Sequence, residues 1–143
     1  MKKHTTLLAL CLLGLSVTFC KKKKDDPAPT PVIQNGFTWS QDNGAVITAD
    51  SAFWTAGTWG AGVRAYKNGY SSFFEINLDN SNVGNHTLDN SSTFLNASDT
   101  YSMTGTLVIS GNANSKLSGS FDATVAGGSI KSVKGNFGNL SKR

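Results

Sequence analysis

The stretch Leu117-Ser118-Gly119-Ser120-Phe121-Asp122-Ala123-Thr124-Val125 decides the fold class of this chain. Its apolar and small residues occupy every second position, and polar residues fill the positions between them. Successive side chains of a β-strand point to opposite faces, so this period of two predicts a strand with one buried and one wet face. The same period is present in residues 103–109 and in residues 133–137.

Residues 71–79 form the clearest strand in the preceding half of the chain. One face carries Phe74, Ile76 and Leu78, and the other carries Phe73, Glu75, Asn77 and Asp79. The second face could contact a sugar, although the wet face of an antiparallel sheet has a similar composition.

Turn signals separate these strands at regular intervals. Asn43-Gly44, Asn68-Gly69 and Gly127-Gly128 tolerate the positive φ angles that hairpin turns need. Residues 57–62 are rich in glycine and are predicted to be a loop, while residues 89–99 give no clear pattern. No stretch after residue 33 has a helical period, and strong helix formers are scarce. We therefore predict an all-β domain over residues 33–143, an antiparallel β-sandwich or partly open barrel of about eight strands.

The positive charge lies outside this domain. The 143-residue chain has a net charge of +4, which six lysines and two aspartates before residue 36 supply in full. From Gly36 onward, seven cations balance seven anions. A nucleic-acid-binding domain needs a basic surface of its own to neutralise phosphates, so we expect no nucleic-acid partner.

The first 19 residues are typical of a secretory signal peptide. Lys2, Lys3 and His4 precede an apolar run over residues 5–19, which is short for a membrane span of about 20 residues. Val17-Thr18-Phe19-Cys20 resembles the lipobox of bacterial lipoproteins, with Phe19 where Gly, Ala or Ser is usual. The resemblance implies that Cys20 is acylated and becomes the mature N-terminus, which makes the membrane a partner through the lipid.

Residues 20–32 are expected to form a tether between the lipid and the domain. They contain the run Lys21–Lys24, two aspartates and all three prolines of the chain. The charged run resembles a lipoprotein surface-export signal, and the proline-rich part favours a stiff, extended spacer.

Three short stretches resemble a group of small, uncharacterised lipoproteins of the Bacteroidota. Residues 105–109 (GTLVI) and 116–123 (KLSGSFDA) are similar to the closing hairpin of that group, and residues 84–88 (GNHTL) resemble its GxYxL stretch. The resemblance implies an all-β fold and an outer-membrane lipoprotein of the cell envelope. We expect the domain to be exposed at the cell surface, with a periplasm-facing domain as the alternative. The resemblance implies no activity.

Candidate catalytic residues are few, and we predict that the protein is not an enzyme. The expected mature chain has one histidine, His86, at a strand start without a recognisable nucleophile motif. Glu75 and Asp79 could form a carboxylate pair, but no insertion suggests a deep site around them. Residues 79–82 and 89–92 are rich in oxygen ligands but lack a calcium-loop pattern, so we expect no metal and no cofactor.

Aromatic residues are the best candidates for a binding role. They crowd into residues 39–70, and the candidates for ligand contact are Trp59, Trp54, Tyr66 and Tyr70. Trp59 lies between glycines at positions 57 and 60, which favours exposure. Filling the core is the competing role for such rings. Asp50-Ser51-Ala52 resembles an O-glycosylation motif of the same bacteria, which makes Ser51 a candidate for modification.

These observations favour a lipid-anchored, non-catalytic binding or structural module that contacts a glycan or an envelope protein. One alternative is a closed barrel that carries a small apolar ligand in a cavity. A second alternative is a small hydrolase with a cleft that joins His86 to an acid and a serine. The sequence leaves the oligomeric state open.

Overall fold

Nine β-strands make up most of the computed structural model, which describes residues 35–58 and 60–143. They are β1 (Gly36–Gln41), β2 (Ile47–Thr48), β3 (Ser51–Gly57), β4 (Gly60–Lys67), β5 (Ser72–Leu78), β6 (Gly84–Asn96), β7 (Asp99–Ala113), β8 (Lys116–Ala126) and β9 (Ser132–Ser141). A 3₁₀ turn, Asn68–Tyr70, joins β4 to β5, and the described residues contain no α-helix. The described residues all belong to one unit, Pro31–Arg143. The predictions for residues 1–19, for Cys20 and the rest of 20–32, and for Trp59 lie outside the described residues.

The strands form one antiparallel sheet in the order β2-β1-β9-β8-β7-β6-β5-β4-β3. The sheet curls into a half-barrel, which confirms the prediction of an all-β antiparallel fold. Of the two predicted forms, the single sheet corresponds to the partly open barrel and not to the sandwich, and it has nine strands where about eight were predicted. The edge strand β3 comes back to the end of the chain, where Trp54 bridges to Lys142 and the Arg143 N–H donates to the Trp54 carbonyl at 2.9 Å. The curvature thus brings the β3 edge of the sheet into contact with the residues that follow β9.

The core lies on the inner face of this curved sheet. Its apolar positions follow the predicted period of two, with Phe74, Ile76 and Leu78 buried from β5 and Leu117, Phe121, Ala123 and Val125 buried from β8. Phe74 is central to it, because its ring centroid lies 4.5 Å from that of Phe94, 5.2 Å from those of Phe37 and Trp39, and 5.6 Å from that of Phe121. Packed aromatic rings therefore fill the inside of the half-barrel.

Two parts of the sheet differ from the sequence-based expectation. Gly60, Ala61 and Gly62 belong to β4 and not to a loop, because they pair with Gly57, Ala56 and Thr55 of β3. Glycine has no side chain, so these residues lack the alternation of apolar and polar positions that identifies a strand in the sequence. The unclear stretch 89–99 belongs mainly to β6, whose pairing with β7 shifts register between Leu88 and Ser92. That irregularity interrupts the period of two.

No helix within residues 35–58 and 60–143 has the length and apolar character needed to cross a membrane.

Candidate functional site

The outer face of β5 carries a continuous line of aromatic and polar side chains. Phe73, Glu75 and Asn77 alternate with the buried residues of the strand, and Asp79 follows directly after it. At about 3.4 Å per residue, the line from Phe73 to Asp79 is about 20 Å long. It connects an aromatic end, a polar middle and an open cleft.

The aromatic end consists of Phe53, Tyr66, Tyr70 and Phe73, which we call the aromatic cluster. Tyr66 on β4 pairs with Phe73 on β5, and their ring centroids are 4.9 Å apart at an interplanar angle of 27°. Phe53 stacks on the other side of Tyr66 at 6.0 Å, and Tyr70 stands nearly perpendicular to Tyr66 at 4.9 Å. Tyr70 is 67% exposed, whereas the other three rings are half-buried. The cluster therefore presents one freely accessible ring and three partly covered rings to solvent.

Tyr70 is held in this position by an unusual backbone conformation. Its φ is 88°, and the preceding residues Asn68 and Gly69 have φ angles of 48° and 60°. A bulky side chain rarely adopts positive φ, because Cβ then crowds the backbone. Asp50 fixes the start of this turn, since its Oδ2 accepts the Asn68 N–H at 2.7 Å. Backbone strain of this kind clusters at functional sites.

An open cavity of about 370 Å³ lies against the aromatic cluster. Asp50, Ser51 and Arg143 complete its rim beside the rings of Phe53, Tyr66 and Tyr70. The Lys67 ammonium donates to Asp50 at 2.7 Å. This hydrogen bond, together with the one from the Asn68 N–H, lowers the pKa of the Asp50 carboxyl. The Arg143 guanidinium carbon lies 4.4 Å from the centre of the Phe53 ring. The cavity thus combines three aromatic rings with charged groups of both signs.

Arg64 dominates the polar middle of the outer face. Its Nη2 donates to Glu75 Oε1 at 2.7 Å and to Asn77 Oδ1 at 3.2 Å. Its Nη1 donates to the carbonyls of Val63 and Ile76, both at 3.3 Å. Four acceptors on two strands therefore hold the Arg64 guanidinium in place, and with it the orientation of Glu75 and Asn77.

The far end of the line opens into a polar cleft of about 650 Å³. Asp79, Asn82, Asn85, His86 and Asp89 contribute to its lining. His86 Nδ1 lies 3.3 Å from Asp79 Oδ1, and His86 Nε2 lies 2.8 Å from the Asn82 carbonyl oxygen. The bond to His86 lowers the pKa of the Asp79 carboxyl.

The cleft does not assemble the hydrolytic arrangement that the second alternative requires. The His86 side chain is 6% exposed, and both of its nitrogens face oxygen partners that are not hydroxyl groups. Ser91 also lines the cleft, but its hydroxyl donates to Asp89 and not to His86. His86 therefore holds the loop after β5 against the start of β6.

The structure separates the predicted binding residues. Tyr66 and Tyr70 lie in the aromatic cluster, and Ser51 is exposed on the rim of its cavity. Trp54 is 4% exposed and its Nε1 donates to the Ser115 carbonyl at 3.2 Å, so its assignment to a ligand surface was wrong. Alternation along β3 turns Trp54 inward and Phe53 outward.

Sequence reasoning missed Phe53 and noted Phe73 only as part of a mixed face. The sequence did offer one indication for Phe53. Adjacent residues of a strand face opposite sides, so if Trp54 is buried, Phe53 must face outward. Which of the two is buried depends on pairing with β4, where Trp54 lies opposite Val63 and Phe53 opposite Arg64. That pairing is not visible in residues 51–57 themselves.

Comparisons with known proteins add no relative: no family model, no curated protein and no solved structure matches this chain. Over the part of the chain that the structure describes, no group of three or more His, Cys, Asp or Glu side chains is placed to hold a metal ion. The described outer face combines packed aromatic rings with immobilised hydrogen-bonding groups.

Proposed function

We propose that this chain is a non-catalytic glycan-binding module, held at the outer membrane of the cell envelope by a lipid on Cys20. The outer face of β5 with the adjoining aromatic cluster binds the glycan. The observation that supports this most directly is that the aromatic cluster, with its exposed Tyr70 ring, lies next to the fixed Arg64–Glu75–Asn77 group on the solvent side of the sheet.

A sugar ring needs both kinds of group that this surface offers. Its C–H bonds form apolar patches that pack on aromatic rings, and its hydroxyl groups donate and accept hydrogen bonds. Tyr70 and Tyr66 supply the aromatic contact. Glu75 offers its second carboxylate oxygen as an acceptor, since Oε1 accepts from Arg64, and Asn77 Nδ2 retains one N–H beside the one that it donates to the Ser91 carbonyl. A site of a few convergent polar groups beside aromatic side chains is the usual form of a small-ligand surface.

The rigidity of these groups favours binding. Arg64 makes four hydrogen bonds, and Asn77 Nδ2 donates to the Ser91 carbonyl at 2.7 Å. Ordering a rotamer-rich side chain on binding costs about 0.5–1.5 kcal/mol. Side chains already held in place avoid this cost, so a shallow surface can still bind a glycan measurably.

The interior of the half-barrel argues against the carrier alternative. A carrier of an apolar ligand needs an internal cavity. Here Phe37, Phe74 and Phe121 contact one another at centroid distances of 5.2–5.6 Å in the place where a ligand would lie. The described inner face is therefore filled with side chains.

Glycan binding is tested with the purified full-length chain on a glycan array, followed by calorimetry with the best oligosaccharide. Tyr66→Ala and Tyr70→Asn are expected to weaken binding about tenfold or more, because aromatic contacts at a binding surface are energetically dominant. Asn tolerates positive φ, so the second variant keeps the turn. Val46→Ala is the control, since Val46 is exposed on a different part of the surface. If no glycan binds, or if both tyrosine variants bind as the parent does, the proposed function is wrong.

The anchor is tested separately by labelling cells with palmitate. Wild-type protein is expected to take up label and to remain in the membrane fraction, whereas Cys20→Ala loses the label. Label and membrane retention that persist in the variant would exclude Cys20 as the anchor.

A further inference from the structure

The polar cleft at the far end of the outer face lies where two neighbouring strands separate. The pairing of β5 with β6 ends at Glu75, opposite Thr93, although β5 continues to Leu78. Beyond that point β6 stays paired with β7, with its register shift between Leu88 and Ser92. Irregular pairing of this kind is common next to binding and active sites. The cleft of about 650 Å³ falls within the range of about 300–1,000 Å³ that is usual for ligand sites.

The loop that forms one wall of the cleft is fixed from two sides. His86 Nε2 on β6 lies 2.8 Å from the Asn82 carbonyl oxygen. Asn112 Nδ2 on β7 donates to the Ser81 carbonyl, also at 2.8 Å. A wall that is already in place avoids the cost of ordering it when a ligand binds.

The lining of the cleft suits the hydroxyl groups of a sugar. Asn82 and Asn85 are exposed there, and the structure gives neither side-chain amide a hydrogen-bond partner among the described residues. Each amide offers both donors and an acceptor. Val83 lies between them in the sequence and is 63% exposed, so the same wall also offers an apolar contact for sugar C–H groups.

The cleft is continuous with the rest of the outer face. Asn77 lines it and also lines a shallow cavity of about 230 Å³ beside Arg64. Glu75 accepts from Arg64, and Phe73, two positions before Glu75 on the same face of β5, belongs to the aromatic cluster. The three regions are therefore successive parts of one surface about 20 Å long, which is longer than a single sugar ring.

We propose that this surface binds a linear oligosaccharide several sugars long, with one part of the chain against Tyr66 and Tyr70 and another part in the polar cleft. The inference rests on the proposed glycan binding and adds the class of glycan, an extended chain and not a single terminal sugar. When both contacts are made by one chain, the second contact becomes intramolecular. Affinity therefore rises with chain length until the chain reaches both regions.

The test measures binding to the full-length chain by calorimetry as the probe is lengthened. The probes are uncharged oligosaccharides of glucose, xylose and mannose, each series running from two to six sugars. Uncharged probes are used because Asp79 and Asp89 line the cleft and would repel an acidic sugar. In at least one series we expect the hexasaccharide to bind about tenfold or more tightly than the disaccharide.

The double variant Asn82→Ala/Asn85→Ala is expected to remove that gain with length and to leave disaccharide binding unchanged. Tyr70→Asn should weaken both lengths, because the aromatic contact is common to them. Asn136→Ala is the matched control: it removes the same amide from an exposed position of β9, which β7 and β8 separate from β6. Circular dichroism and thermal unfolding of each variant check that it is folded.

The outcomes separate this inference from the proposed function. A gain with length that the double variant abolishes and Asn136→Ala preserves supports the inference. Equal binding of disaccharide and hexasaccharide, sensitive to Tyr70→Asn, overturns the inference and leaves glycan binding intact. A gain with length that survives in the double variant also overturns it, since the additional sugars would then lie outside the cleft. If no glycan binds, the inference fails together with the proposed function.

Discussion

At the scale of single residues, glycine sets how closely the strands and rings of the core can approach. Gly119 and Gly135 occupy positions in phase with the buried residues of β8 and β9. A Cβ atom at Gly135 would lie 2.5 Å from Phe121 Cζ and 2.5 Å from the Thr38 carbonyl oxygen. At Gly119 it would lie 2.6 Å from Phe137 Cζ. The rings thus occupy the volume that a side chain would need at these positions.

Gly135→Ala is therefore expected to destabilise the fold. The added methyl group forces Phe121 or the β1 backbone to move, and overpacking of a core costs about 1–3 kcal/mol. Gly111→Ala is the control, because the nearest atom to its Cβ would be Ser118 Cβ at 4.0 Å. Urea unfolding measures both free energies of unfolding. Equal values for the two variants would contradict the packing argument.

At the scale of strands, two buried serines supply hydrogen-bond acceptors to backbone N–H groups near the places where the register of the sheet shifts. Ser92 lies at the irregularity between β6 and β7, and Ser118 lies at the one between β8 and β9. The Asn77 N–H donates to Ser92 Oγ at 3.0 Å, and the Asn139 N–H donates to Ser118 Oγ at 3.0 Å. In each case a side-chain oxygen replaces the carbonyl that a regular partner strand would offer.

Ser92→Ala is expected to lower the free energy of unfolding by about 1–3 kcal/mol, because it leaves the Asn77 N–H without its partner. The substitution also frees the backbone next to the Asn77 side chain, so glycan affinity should fall with stability. Chemical denaturation and calorimetry give the two quantities. Ser110→Ala, at an exposed position of β7, serves as the control and should change the stability by no more than about 0.5 kcal/mol. A Ser92→Ala variant as stable as Ser110→Ala would show that the hydroxyl is dispensable.

At the scale of the whole molecule, ionised aspartates hold distant segments and turns together. Asp42 follows β1, and its Oδ1 accepts the backbone N–H groups of Lys131 and Ser132 at 2.9 and 2.8 Å. Those backbone hydrogen bonds lower the pKa of the Asp42 carboxyl. The pKa values of the Asp50, Asp79 and Asp89 carboxyls are lowered as well, first by hydrogen bonds from the side chains of Lys67, His86 and Ser91 respectively.

Stability is consequently expected to fall in acid. A carboxyl whose pKa is lower in the folded state stabilises the fold fully above its unfolded pKa, which is about 3.9 for aspartate. As the pH falls through the folded pKa, protonation removes that contribution. Thermal unfolding should give a lower midpoint at pH 3 than at pH 6, with a shallower dependence in Asp42→Asn. A midpoint at pH 3 equal to or above that at pH 6 would contradict this account.

The sequence by itself determined the fold class and the buried face of the regular strands. The period of two in residues 71–79, 103–109, 117–125 and 133–137 is a local property, and the inner face of the sheet follows it. It also determined that the domain carries balanced charge. The lipid on Cys20 stays a prediction, because residues 1–34 lie outside the described residues.

Only the tertiary structure decided which aromatic residues meet on the outer face. Phe53 and Trp54 are neighbours in the sequence, but Phe53 faces outward and Trp54 faces the core. Which of the two is buried depends on the pairing with β4, which is a contact between strands. Tyr70 joins Tyr66 because the turn between β4 and β5 adopts positive φ angles, and Arg143 reaches Phe53 because the sheet curls until the end of the chain meets β3. Local periodicity fixes which face a side chain takes within a regular strand. It cannot fix the register and curvature, since these depend on contacts between residues far apart in the chain.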